Sequence, residues 1–125
     1  MVDSAREQSE FNMAVSYLNR LNGLFYAADE AAVSLDVHSW YHILMALTRE
    51  LSTEMNEKEG DKIDKQIKLI HPLIQTNMRN NSRTGRKEVE EELYHNLHQL
   101  EILVRGVLKS AGLQNKMMKD PRMAL

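Results

Sequence analysis

The chain has 125 residues, no cysteine and a formal net charge of −2. That length suits one ordinary domain. The missing cysteine excludes a disulfide scaffold, thiolate catalysis and cysteine-ligated zinc, and the slightly acidic balance argues against a generic nucleic-acid binder.

No apolar run approaches the roughly 20 residues that span a bilayer. The opening Met1-Val2-Asp3-Ser4-Ala5-Arg6-Glu7 lacks the basic region and apolar core of a secretory signal. The expectation is a soluble cytoplasmic protein with no membrane partner. With two prolines, five glycines and many helix formers, the composition favours helix throughout. The spacing of apolar residues predicts an all-α, single-domain, up-down four-helix bundle over 1–112, with 113–125 as a tail that frays unless a partner holds it.

The first helix is predicted to start at Ser4, because Ser4-Ala5-Arg6-Glu7 has the spacing of a capping box. Phe11, Ala14, Val15, Leu18, Asn22 and Phe25 then recur at steps of three and four, which places them on one face as far as about Val33. Asn22 and Asp29 lie on that core line. Asn22 suits a register-fixing role inside the bundle, and Asp29, near the helix end, reaches water.

The second helix is predicted to be capped by Ser34 or Asp36 and to carry its core stripe on Trp40, Ile43, Leu44, Leu47, Leu51 and Met55. Gly60 suits the left-handed position that would end it. The third starts at Asp61, with Ile63, Ile67, Ile70, Ile74 and Met78 as its stripe. Pro72 interrupts that pattern. It lacks an N–H and clashes with the preceding turn, so a kink or a break into two helices is expected near 68–71. The polar, glycine-containing stretch 80–86 reads as a loop.

The fourth helix is expected over about 86–111. Val89, Leu93, Leu97, Leu100, Val104, Val107 and Ala111 form the most regular seam in the chain, and Gly112 is a plausible stop. Trp40, Phe11, Phe25 and this seam are predicted to meet in the middle of the core.

The motifs that could carry chemistry fail a test of direction. His38 and His42 have metal-ligand spacing, and Glu92-Leu93-Tyr94-His95 has the Glu-x-x-His form of di-iron bundles. With Trp40 inward, both helix-2 histidines lie about 160° away, and with Leu93 inward, His95 does the same. No nucleophile is paired with a base, and no glycine-rich loop could cradle phosphate. The expectation is therefore no enzyme, no catalytic or metal-binding residue and no cofactor.

Two readings remain. In the leading one, apolar residues beyond the arc a helix needs for one core form an interface: Met13, Tyr17 and Leu24 on the first helix, Tyr41 and Met45 on the second. The protein is then a small assembly or adaptor module, its partner a second copy or a larger complex. In the alternative, Arg79, Arg83, Arg86 and Lys87, with the basic tail, contact the phosphates of a nucleic acid. Four glutamates follow those charges at once, and no aromatic residue interleaves with them to stack on bases.

Overall fold

The computed structural model describes residues 2–79 and 83–113, with side chains described over 7–79 and 87–113. It contains four α-helices: α1 (Val2–Val33), α2 (Val37–Glu50), α3 (Glu57–Arg79) and α4 (Arg83–Ser110). A 3-10 turn, Ser52–Glu54, lies between α2 and α3. The fold is all-α, as the periodicity predicts, and no strand occurs among the described residues.

Side-chain contacts set the directions. Tyr17 of α1 meets the end of α2 at Glu50, across a turn at 34–36, so α1 and α2 are antiparallel. Gln66 bonds Asn96, and Glu59 bonds Ser110, which makes α3 and α4 antiparallel. His38 meets Asn77, so α3 also runs against α2. The up-down-up-down order follows. The closest helix packing joins α1 to α2, α2 to α4, and α4 to α3.

The core follows from this arrangement. Trp40, Leu44 and Leu47 are buried completely on α2, Leu51 at its C-terminal cap, and Leu93, Leu97, Leu100 and Val104 on α4. Both seams are the predicted ones. On α1 the central line is Leu21 and Ala28, flanked by Leu18 and Phe25, so the core axis is rotated from the predicted stripe. Phe11, expected in the middle of the core, is 56% exposed because no helix lies opposite it. Met78 is likewise exposed, and its neighbour Asn77 takes the buried place.

The helix boundaries correct several expectations, among them the start of α4, which is Arg83 and not about 86, so that 83–86 of the expected loop are helical. α1 already runs from Val2, so Ser4 lies inside the helix and does not cap it. Asp36 caps α2 as expected, its carboxylate accepting from the Ser39 N–H at 3.2 Å. α2 then ends at Glu50, well before Gly60, because a capping box starts α3. The Asn56 Oδ1 accepts from the Glu59 N–H at 2.8 Å, and Glu59 Oε1 accepts from the Asn56 N–H at 3.1 Å. Two orphan donors satisfied reciprocally outweigh one glycine.

Pro72 lies inside one uninterrupted α3, not between two short helices. Its carbonyl accepts from the Thr76 hydroxyl at 2.8 Å. Gly112, with φ +74°, ends α4 in the left-handed position predicted for it. The tail from 114 onward lies outside the described residues.

Two outcomes test this packing. Trp40→Ala should cost roughly 3–5 kcal/mol in denaturant unfolding, the usual range for a buried large aromatic. His42→Ala, on the exposed face, should change stability by no more than about 0.5 kcal/mol. Equal costs would mean that α2 is rotated.

The second concerns acid. The Asn56 N–H, and after it the Ser110 hydroxyl, hold the Glu59 carboxyl below the usual carboxylate range. A group depressed in the folded state adds stability above its unfolded-state pKa, and that stability is lost as pH falls through the folded value. The stability gap between the native chain and Glu59→Gln should therefore close on acidification. A gap that stays constant down to low pH would show that the ionised box contributes nothing.

Candidate interaction surfaces

Two regions stand out from the packed body. The first is the N-terminal half of α1. Tyr17 marks where support for α1 ends: its hydroxyl donates to the Glu50 carbonyl at 3.0 Å. Arg20 lies over the same ring at 5.9 Å and approaches the Glu50 carboxylate at 3.6 Å. Burial, and then the nearby Glu54 and Glu50, raise the Tyr17 hydroxyl above its ordinary pKa. Beyond this contact α2 has ended and α1 continues. Residues 2–16 extend about 22 Å further at 1.5 Å per residue.

Every residue from Glu7 to Ala14 is exposed. Phe11, Ala14 and the half-buried Val15 occupy one arc, continuing toward the buried Leu18. Met13, 70% exposed, stands about 160° from Phe11, among Gln8, Ser9, Asn12, Ser16 and Arg20.

The second region is at the opposite end of the α1–α2 hairpin. Leu35 adopts φ +58°, the left-handed region that a leucine rarely enters, and two thirds of it faces solvent. The turn around it is held by backbone bonds from Asp36 N–H to the Ala31 carbonyl at 2.9 Å and from Leu35 N–H to Ala32 at 3.3 Å. Beside it runs a groove of about 360 Å³ lined by Leu35, Val37, Lys87, Glu90, Glu91 and Tyr94. The Tyr94 ring is fixed edge-on against Trp40, with centroids 5.2 Å apart.

The predicted interface residues are not gathered on one surface. Tyr41 is buried, which corrects its assignment to a face away from Trp40. Tyr17, Leu24 and Met45 are half-buried and pack against this chain's own core. Of the five, only Met13 is broadly exposed. The basic residues fare similarly. Arg79 is exposed at the end of α3, Lys87 is exposed at the rim of an acidic groove, and the side chains of Arg83 and Arg86 lie outside the described residues.

No family model, curated protein or solved structure matches the chain. Its chemistry therefore rests on its own residues. Among the described residues, no three histidine, aspartate or glutamate side chains converge on a point where a metal could sit. His38, expected to face outward with His42, is instead half-buried against α3, its Nε2 2.8 Å from Asn77 Oδ1, while His42, His71, His95 and His98 are exposed. No described helix is long and apolar enough to cross a membrane.

Two polar residues that sequence reasoning passed over are buried. Glu101, 8% exposed, accepts from the Trp40 indole N–H at 3.2 Å. Its other oxygen lies 3.6 Å from Arg105 Nε, and Arg105 reaches Asp29 at 2.8 Å while its guanidinium covers the Phe25 ring at 4.7 Å. Asp29 is thus tied to α4 by an ion pair. The signal for Glu101 was available: it falls four after Leu97 and three before Val104, on the seam itself. Asn77 is the second, its Nδ2 without a hydrogen-bond partner.

The Leu35 turn yields a stability outcome. An L-residue in the left-handed region costs roughly 1–2 kcal/mol, and asparagine enters it more readily. Leu35→Asn should raise unfolding stability by about 0.5–1 kcal/mol, since the lost side chain is mostly exposed. A loss of stability would show that Leu35 makes contacts that outweigh its backbone strain.

Proposed function

We propose that this chain is a small helical assembly module that self-associates, or docks on a larger complex, through the N-terminal half of α1. One observation carries the reading. The described residues Glu7 to Ala14, about two turns of α1, are all exposed beyond the end of α2, and Phe11 and Ala14 share an arc there with the half-buried Val15. Isolated helices of fewer than about 12–15 residues are marginal in water, because nucleation is costly and packing normally supplies the rest. An exposed phenylalanine adds a second cost. A partner that covers the arc removes both.

This narrows the interface expected from sequence. Tyr17, Tyr41, Leu24 and Met45 serve the chain's own core, and the surface available to a partner runs through Phe11, with Met13 on the opposite flank. The face is short. It buries less than the roughly 1,200–2,000 Å² of a standard stable interface, so self-association belongs to the weak, concentration-dependent class.

Sedimentation velocity over a wide concentration series tests the reading. The native chain should associate as concentration rises. Phe11→Ser should suppress association without lowering the unfolding midpoint measured at low concentration, since Phe11 contributes little to the folded monomer. Hydrogen exchange should be fast over 7–14 in dilute solution and slow at high concentration. A strict monomer throughout, with no partner recovered by affinity capture, removes the proposal.

A further inference from the structure

We propose that residues 7–14 of one copy dock on the outer flank of α3 in a second copy, where Lys58, Lys62 and Lys65 line up with the exposed Leu69. The contact rests on association through α1, as proposed for the module, and makes the partner a second copy of this chain.

Leu69 is 59% exposed. Lys58, Lys62 and Lys65 are exposed too, and all three stand within about 40° of it around the helix. Among the described residues none of the three is ion-paired, whereas Lys68 is taken by Asp64 at 3.0 Å. The acids of this helix lie off the stripe. Glu57, Asp61 and Asp64 stand about 80–140° from Leu69, and Glu59 is bonded to Ser110. The flank borders α4, because Gln66, about 60° from Leu69, bonds Asn96. From Asn96 onward the adjoining edge of α4 is Gln99, Leu103 and Gly106, without charge. Gly106 is exposed with open space beside its Cα, so a second helix can approach closely there.

The α1 segment is complementary. Phe11 is exposed, and Glu7 and Glu10 lie within about 100° of it, on the side of Ala14. Among the described residues neither glutamate is ion-paired. Setting Phe11 on Leu69 therefore brings unpaired carboxylates to unpaired ammonium groups. Other surfaces have the wrong sign: α1 against α1 sets glutamate on glutamate, and the Leu35 groove presents Glu90 and Glu91. In the single chain both the segment and the flank are exposed, so the contact forms between copies. Each copy carries both halves, and two copies about a two-fold axis make the contact twice.

Sedimentation velocity of the full chain tests this. Lys62→Glu with Lys65→Glu should weaken association about tenfold, since exposed ion pairs are replaced by like charges. Glu7→Lys with Glu10→Lys should do the same. Neither change should lower the unfolding midpoint measured in dilute solution. Mixed in equal amounts, the two variants should associate again, because each now carries the charge that complements the other. A misfolded chain would not recover in this way. Raised salt should weaken association of the native chain. A lysine variant that associates as strongly as the native chain overturns the α3 contact and leaves association through α1 standing. So does a mixture that stays monomeric while Phe11→Ser still suppresses association of the native chain. A native chain that is monomeric at every concentration, with a different protein captured through Phe11, overturns the contact between copies and retains the docking module. Without that capture, both readings fall.

Discussion

The carboxylate of Glu101 is the constraint around which the bundle is arranged. A charge buried to this degree is tolerated only when paired and hydrogen-bonded, because desolvation otherwise costs several kcal/mol. Its partners come from two helices. Trp40 supplies an indole N–H from α2, and Arg105 supplies a guanidinium from the next turn of α4. Arg105 in turn grips Asp29 and covers Phe25, both on α1. Sliding α2 or α1 along α4 by one turn would leave a buried charge with half its partners. Leucine seams alone tolerate such slips, since one leucine replaces another. The polar chain from Trp40 through Glu101 and Arg105 to Asp29 removes that degeneracy and fixes the register of three helices.

Fixing the register also fixes what is left uncovered. α2 has 14 residues and α1 has 32, and the turn at Leu35 aligns them at one end only. The surplus of α1 therefore projects at the other end, past Tyr17. Its amphipathic pattern continues there, but Glu10 falls on the line that Leu21 and Ala28 follow further along, with Phe11 and Met13 on either side. A helix built to pack against α2 would place an apolar residue at that point. The free half of α1 is thus differently patterned from the packed half, which is why its arc is read as facing a separate partner.

The sequence made the faces legible and left the extents illegible. Periodicity correctly placed Trp40 inward, His42 outward and the α4 seam at the centre, because each face has a partner along its whole length. The same rule put Phe11 in the core, although α2 has ended there, and Met78, whose place on the buried line is taken by the adjacent Asn77. Periodicity reports the direction of a side chain and is silent on how far the neighbouring helix extends. The α2–α3 junction failed for another reason: Gly60 was weighed as a stop, while the capping box at Asn56 and Glu59, a stronger local signal, went unread. Glu101 was passed over because a charged residue on a seam is discounted as solvated, although its spacing from Leu97 and Val104 placed it on the buried line.

The two exposed surfaces lie at opposite ends of the α1–α2 hairpin, and that separation has a consequence for assembly. If both were open and mutually complementary, one end of each molecule would bind the other end of the next. Such heterologous contacts close into rings only for special angles and otherwise grow into filaments. Glu7 and Glu10 of α1 carry the same sign as Glu90 and Glu91 at the groove, which opposes that contact. The face on α1 is then left to pair with its own copy or with a different protein. Self-pairing about a two-fold axis is closed and stops at a dimer, so like charge at the two ends would limit association as well as direct it.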